Sequence, residues 1–454
     1  MSEIIELRDD PQRFRGLTLS VHEVEPLPGR LDNHGKSSQA TVQPTAEGSQ
    51  EDRQTSKKQA TTSRVQFATL CWCLFLAGWN DGTTGPLLPR IREAYNVGFA
   101  VVSLIFVFAC VGFICGALIN VPLSNNLGFG KVIALGSMLQ VIAYALQTPA
   151  PPFPVFVIAY VINGVGIAMQ DAQASGYVAS MKRNAETKMG FLHAAYGLGA
   201  FVAPLVATQF AQLERWSFHY LVSLGIALSN LMALALIFRF KGQEECLMAM
   251  GQSVGEKDHQ EHNTFQQILS QKTVHVLAFF AFFYMGIQVT VGGWIVTFII
   301  DVRHGGPSSG YISSGFYGGL TVGRVALLWV NKKIGEWHVL YLYTFFAIGL
   351  QLIIWLVPSL VGDAVAVSLL GVLLGPFYPI AMNTAGRIIP RWLLTGSIGL
   401  IAGVGMAGAA AIPFMAGALS SKYGIQNLQP LLIVLMCSMI VLWTLIPRAQ
   451  RKGD

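Results

Sequence analysis

The sequence predicts an all-α integral membrane protein, with twelve transmembrane helices in two pseudo-symmetric six-helix halves around a central cavity. Three observations predict it. Of the 454 residues, 53% are hydrophobic and only 12% are charged, against about 25% charged in soluble domains. From Gln66 onward, apolar stretches recur that approach the roughly 20 residues a helix needs to cross a bilayer. Short motifs also recur between the first and second halves of the chain at nearly constant offsets.

The chain opens on residues 1–64, which are polar, mix both charge signs and lack the apolar core of a signal peptide. They are expected to form a disordered cytoplasmic tail. Twelve candidate helices follow, at 66–89, 98–122, 131–148, 154–179, 188–211, 218–239, 273–300, 309–331, 337–358, 363–386, 392–420 and 428–447. Gly, Pro or charged residues bound most of them. The first six make an N-terminal half over residues 65–240. Residues 241–272 carry Glu244, Glu245, Glu256, Lys257, Asp258 and Glu261 and read as a polar linker. The last six helices make a C-terminal half over residues 273–447, followed by a short tail at 448–454.

An even number of helices puts both termini on one side, and Lys and Arg in the short loops decide which. With the N-terminus inside, the inner segments hold Lys131, Lys182, Arg183, Lys188, Lys332, Lys333, Arg387, Arg391, Arg448, Arg451 and Lys452. The outer ones hold Arg90, Arg92, Arg215, Arg303 and Lys422. Eleven against five predicts cytoplasmic termini and a cytoplasmic linker and tails. The expected location is the plasma membrane, as a monomer in the lipid bilayer. The net charge of +6 needs no nucleic-acid partner. The six cysteines have no metal-ligand spacing and read as small packing residues.

The repeat supports the division into halves. Gly112-x-x-x-Gly116 followed by Gly128 returns as Gly319-x-x-x-Gly323 followed by Gly335, at an offset of 207. Gly78-x-Asn80 echoes Gly286-x-Gln288 at 208, and Ile167-Ala168-Met169-Gln170-Asp171-Ala172 echoes Ile380-Ala381-Met382-Asn383-Thr384-Ala385 at 213. Parallel repeats of this kind place a transported solute between the halves.

Two carboxylates interrupt the apolar pattern. Asp171 lies inside the candidate helix 154–179 between Gln170 and Gln173, and Asp81 follows Asn80 inside 66–89. A carboxylate at the bilayer centre costs roughly 2.5–3.5 kcal/mol on insertion scales. Alanine would pack as well, so each acid is expected to face a wet cavity, a partner or a solute. The bland readings are hydrogen bonds to neighbouring helices for Asp171, and capping at a helix break before Pro86 and Pro89 for Asp81.

On these residues the chain resembles the major facilitator superfamily, and within it the fucose–proton symporter group, as a fungal member. Asn80-Asp81 matches the group's first-helix pair, and Gly164-x-Gly166 with Asp171-Ala172-Gln173-Ala174 matches its fourth-helix motif. Tyr196-Gly197-x-Gly199-Ala200 with Pro204 matches the fifth helix. Tyr284-x-Gly286-x-Gln288 with Gly293-Trp294, and Gly319-x-x-x-Gly323-Arg324, match the seventh and eighth. The resemblance covers about residues 66–447 and implies alternating access, with a proton-linked acid at Asp171. Two departures stand out. The second loop, Ser124-Asn125-Asn126-Leu127-Gly128-Phe129-Gly130-Lys131, lacks the superfamily's Asp–Arg pair, and Ser175 replaces the group's Asn. The second departure puts the group's sugar specificity in doubt.

The expected function is secondary active transport of a small polar solute, in the nearest case a sugar, by proton symport. Asp171 and Asp81 would couple the proton, because a carboxyl group that is neutral in one cavity state and charged in another links two flows. Asn80, Asn163, Gln170, Gln173, Gln288 and Asn383 offer amide donors and acceptors suited to hydroxyl-rich solutes. Their alternative use is hydrogen bonding between helices. Trp294 and Tyr317 would stack on a sugar ring or simply pack, as would Trp79, Tyr196 and Tyr378. Arg324 reads as a gating latch or as a side chain reaching the inner surface. His193, near the start of its helix, reads as a proton relay or as a contact to headgroups or another helix.

No Gly-x-x-x-x-Gly-Lys loop, zinc motif or nucleophile elbow occurs, so neither a cofactor nor enzymatic chemistry is expected. A facilitative uniporter or an efflux transporter is the near alternative. A non-transporting nutrient receptor signalling through its tail is the alternative of another class.

Overall fold

A computed structural model describes residues 46–181, 184–251 and 264–447. Residues 1–45 of the first tail lie outside the described residues, as does all of 448–454. So do Lys182 and Arg183, and the linker charges Glu256, Lys257, Asp258 and Glu261.

The described residues are helical almost throughout. In chain order the helices are α1 (Ala46–Ala94), α2 (Phe99–Val102), α3 (Leu104–Leu127), α4 (Phe129–Gln147), α5 (Phe153–Ala179), α6 (Ala185–Ala211) and α7 (His219–Phe238). The linker holds α8 (Gln243–Met248) and α9 (Thr264–Ser270). Then come α10 (Lys272–Arg303), α11 (Tyr311–Ala326), α12 (Leu328–Ile334), α13 (Glu336–Leu356), α14 (Leu360–Leu374), α15 (Phe377–Ile388), α16 (Arg391–Tyr423) and α17 (Leu428–Leu445). The described residues from Gln54 onward form one compact unit.

These helices supply the twelve expected spans. Three spans are interrupted: α2–α3 at Ser103, α11–α12 at Leu327, and α14–α15 at Gly375-Pro376, where the proline removes a backbone donor. Among the described residues, ten helical stretches are long and apolar enough to cross a membrane. The other two spans are α1, whose apolar run is diluted by Asn80 and Asp81, and α11, which stops after 16 residues. Helix α1 begins at Ala46, well ahead of the expected start at Gln66. The stretch before Gln66 is rich in Gln, Lys, Glu and Ala, all good helix formers, so the helix continues beyond its apolar part.

The repeat is built into the packing. A Cβ on Gly112 would sit 2.1 Å from the carbonyl oxygen of Val161, and one on Gly319 would sit 2.2 Å from that of Ser368. Gly116 meets Val165, and Gly323 meets Val372, in the same way. In all four contacts the partner lies 49 positions further along the chain. The return contacts repeat too, with Gly164 against Ala109 and Gly371 against Phe316. So α3 packs on α5 and α11 on α14 in one register, because only glycine lets the backbones approach this closely. The first and last six spans are two copies of one arrangement.

The halves meet at one end of the bundle, called here the Arg92 end. There Gly85 of α1 lies against Gly292 of α10, Gly417 of α16 against Ser103, and Gly310 against Thr208 of α6. Arg92 pairs with Asp301 at 2.8 and 3.3 Å, and its guanidinium lies 4.3 Å over the Phe99 ring. Gln209 hydrogen-bonds Tyr311 across the same seam. At the opposite end, marked by Lys131, a Cβ on Gly176, Gly190, Gly386, Gly399 or Gly403 would meet nothing within 4 Å. These contacts between the halves thus gather at the Arg92 end.

Candidate functional site

The polar centre is built around the middle of α1's spanning part. Gly78 and Gly82 press against the α6 backbone at Tyr196 and Ala200, and Gly199 of α6 presses back on Phe75. That close contact lets Tyr196 reach Asp81, and its hydroxyl donates to Asp81 Oδ2 at 2.5 Å. Asn80 Nδ2 donates to Asp81 Oδ1 at 3.3 Å. Asn80 Oδ1 accepts from Asn163 Nδ2 at 2.5 Å and from the Tyr144 hydroxyl at 3.4 Å. From the other half, the Tyr317 hydroxyl donates to the Asp81 carbonyl at 3.3 Å. Asp81 is nevertheless exposed, although it lies within the spanning part of α1.

Asp171 lies half-buried on α5, nearer the Lys131 end, and its Oδ1 accepts from the Ser175 hydroxyl at 3.4 Å. Asp81 lies within electrostatic reach of Asp171. Asp171 also acts electrostatically on His193 of α6 and Tyr378 of α15. Arg324 of α11 faces the same region, where its charge acts on His193, Tyr196, Tyr284 and Tyr378.

The structure thus brings Asp81, Asp171, Asn80, Tyr317 and Arg324 to one place and sets other expected ligands apart. Asn163 is buried behind Asn80 and reaches the cavity only through it. Gln170 is buried with its amide committed. Its Oε1 accepts from Gln140 at 2.6 Å and from Asn230 at 3.2 Å, joining α5 to α4 and α7. Gln173 donates to Asn120 of α3 at 2.8 Å. Trp294 is fully buried, and its indole N–H donates to the Pro413 carbonyl at 3.0 Å. Gln288 is half-buried on α10, one turn before Gly292. Asn383 lies at the Lys131 end, exposed, where it donates to Glu336 at 3.0 Å beside the Arg387–Glu336 ion pair.

Sequence reasoning gave Tyr144 no role, weighed Tyr196 only as a ring and did not see that Glu336 pairs with Arg387. The signal for Tyr196 was its place in the motif with Gly197 and Gly199, since glycines on that helix bring a neighbouring backbone near. Tyr144 carries no such mark. Among the described residues, no cluster of His, Cys, Asp and Glu could hold a metal ion.

Residues 70–392, more than half of the chain, match the Major Facilitator Superfamily. The chain belongs to that superfamily. It is a multi-pass membrane transporter rather than an enzyme, and the duplicated six-helix arrangement is the superfamily's architecture. Bypass of stop codon protein 6 from Saccharomyces cerevisiae is 26% identical over 406 residues, which is 83% of this chain and 82% of that one. The glucose/mannose transporter GlcP of Bacillus subtilis is 24% identical over 328 residues, 70% of this chain and 79% of that one. The E. coli fucose:proton symporter shares the fold, with a TM-score of 0.58 at 16% identity, over 85% of this chain and 99% of that one.

Proposed function

We propose that the protein is a proton-coupled symporter for a small polar solute of the sugar type, working by alternating access. The observation that carries this reading is the pair Asp81 and Asp171, two carboxylates without a salt-bridge partner among the described residues, within one apolar bundle. A merely structural acid at such a depth would be expected to lie buried, whereas Asp81 is exposed. The similarity to a glucose/mannose transporter and to a fucose:proton symporter supports a sugar and a proton.

In this reading the Lys131 end faces the cytoplasm, because the basic residues cluster there, and the conformation is open inward. Asn80 and Tyr317 bind the solute beside Asp81, with Gln288 across the cavity. The two halves rock about their contacts at the Arg92 end. Arg324 acts as the gating cation of the second half. The protein works as a monomer in the plasma membrane, with both termini cytoplasmic.

The test is proton flux into liposomes carrying the purified protein and an internal pH dye, challenged with a panel of sugars and polyols. Acidification by one solute in the wild type, with silence in Asp171→Asn, is the expected result. Equal uptake of labelled solute by both proteins, with no proton movement, would sink the symport reading in favour of a uniporter.

A further inference from the structure

Asn80 stands between Asp81 and two buried side chains of neighbouring helices. Its Nδ2 donates to Asp81 Oδ1 at 3.3 Å. Its Oδ1 is turned the other way, toward α5 and α4, where it accepts from Asn163 Nδ2 at 2.5 Å and from the Tyr144 hydroxyl at 3.4 Å. Asn163 and Tyr144 are only 1% and 2% exposed, so neither meets a solute from where it stands. They also touch each other, with Asn163 Nδ2 lying 3.5 Å from the Tyr144 hydroxyl oxygen.

A primary amide can face either way, because its oxygen and its NH2 group fill nearly the same volume. Packing alone therefore does not choose the orientation of Asn80, and its partners do. Behind it stand two donors, which its oxygen satisfies. In front stands a carboxyl group whose ionised form only accepts. Asn163 gains little for itself from this arrangement, since its own Oδ1 is buried with no partner among the described residues. The backbones that carry these groups are fixed independently. Gly78 and Gly82, on either side of Asn80, hold α1 against α6. Gly164, next to Asn163, packs on α3, where a Cβ would lie 2.3 Å from the Ala109 carbonyl oxygen. Gly166 closes α5 on α4, where a Cβ would lie 2.5 Å from the Gly136 carbonyl oxygen.

We infer that Asn163, assisted by Tyr144, orients Asn80 so that the site beside Asp81 is lined by the amide NH2 group and not by the amide oxygen. This rests on the reading of Asn80 as a solute ligand. A solute there has to offer Asn80 an acceptor oxygen, as a sugar hydroxyl does, and the hydroxyl keeps its own proton to donate to a carboxylate. A group that only donates, such as an ammonium, finds no acceptor on Asn80. Asn163 and Tyr144 act through Asn80 and need no contact with the solute. Both are positioning residues.

Two measurements on the purified full-length protein test this, and the first needs no solute. A heavy-isotope label on the asparagine side-chain carbonyls shifts their infrared band, and the component missing in Asn80→Ala belongs to Asn80. Asn163→Leu keeps the side-chain size and removes the donor, while Tyr144→Phe keeps the ring and removes the hydroxyl. Each should move the Asn80 component to higher wavenumber, Asn163→Leu by more, with elution profile and thermal midpoint unchanged. The second measurement is uptake of labelled D-glucose, D-mannose and L-fucose into liposomes. For a sugar that is carried, Asn163→Leu should raise KM about tenfold and Tyr144→Phe about threefold, with Vmax held. In an Asn80→Ala background neither substitution should raise KM further, which a role confined to packing would not produce. Should Asn163→Leu unfold, Tyr144→Phe carries both measurements. An Asn80 band that stays in place overturns the inference, as does a KM rise of equal factor with and without Asn80. If the wild type carries none of the three sugars, the solute reading falls, while the band still decides whether Asn163 orients Asn80.

Discussion

Gly85 and Gly292 occupy the same position in the two repeated halves, 207 residues apart, and their backbones touch across the seam between α1 and α10. A Cβ on Gly85 would sit 2.1 Å from the Gly292 carbonyl oxygen. The contact lies on the Arg92 side of Asp81, so it closes the cavity from that end.

Substituting Gly85 with valine should therefore drive the halves apart at the Arg92 end. A backbone oxygen cannot move aside as a side chain can. The readout is a cysteine placed at Gly403, which has open space in the present conformation. Its labelling by a soluble maleimide should slow by about tenfold, the effect of roughly 1.4 kcal/mol on the equilibrium. Unchanged labelling would mean that the glycine contact does not hold this state.

Arg92→Ala should act in the same direction but more weakly. The Arg92 and Asp301 side chains are 24% and 26% exposed, so water screens the pair. Exposed pairs are worth about 0.2–1 kcal/mol, which limits the change in Gly403→Cys labelling to a few-fold. Exchanging the charges, Arg92→Asp with Asp301→Arg, should recover most of the loss.

Tyr196→Phe removes the hydroxyl that donates to Asp81. A hydrogen bond to a charged group is worth about 1.5–3 kcal/mol, so proton-coupled uptake should fall by about tenfold or more. Equilibrium exchange of labelled sugar should fall less, since the ring remains. Equal losses in both assays would assign Tyr196 to packing.

Gln170→Ala should lower stability and leave solute affinity unchanged. It strands the buried amides of Gln140 and Asn230, at a cost of about 1–3 kcal/mol. Thermal unfolding in detergent and a binding isotherm separate the outcomes. A weaker isotherm with an unchanged midpoint would return Gln170 to the solute.

Cys246 of the linker helix α8 offers a pH test outside the membrane. Burial pushes its thiol up to about 11, although the nearby Lys241 ammonium opposes this. The reactive thiolate is scarce below that value, so alkylation in the folded protein should be negligible at pH 7 and rise toward pH 11. Fast labelling at pH 7 would show that α8 leaves its packing.

The fold was legible because membrane helices announce themselves by length and hydropathy, and because close helix packing demands glycine at fixed intervals. Gly112, Gly116, Gly319 and Gly323 recur in the chain for the same reason that they touch matching partners in space. Asp81 and Asp171 were legible through their cost in an apolar run.

The facing of the amides was not. Gln170 reads alike whether it meets a solute or Asn230, since both uses need the same donors and acceptor. Asn383 sits by its repeat beside the key stretch. The break at Gly375-Pro376 and the short α15 instead carry it to the end of the bundle, beside Glu336. Tyr196 could not be joined to Asp81 without knowing how closely α1 and α6 approach.

The repeat register has an electrical consequence. The glycine contacts set the register at 207 residues, not at the 208 and 213 of the two sequence echoes, so the counterparts of Asp81 and Asp171 are Gln288 and Tyr378 and the duplicated bundle keeps both acids on one side of its two-fold relation. In the proposed cycle, the loaded carrier turns with its acids neutral, and the empty carrier returns with them ionised. Only the return stroke then drags charge through the membrane field. A full elementary charge there is worth about 2.3 kcal/mol per 100 mV. Voltage should set the speed of one half of the cycle and leave the other half untouched.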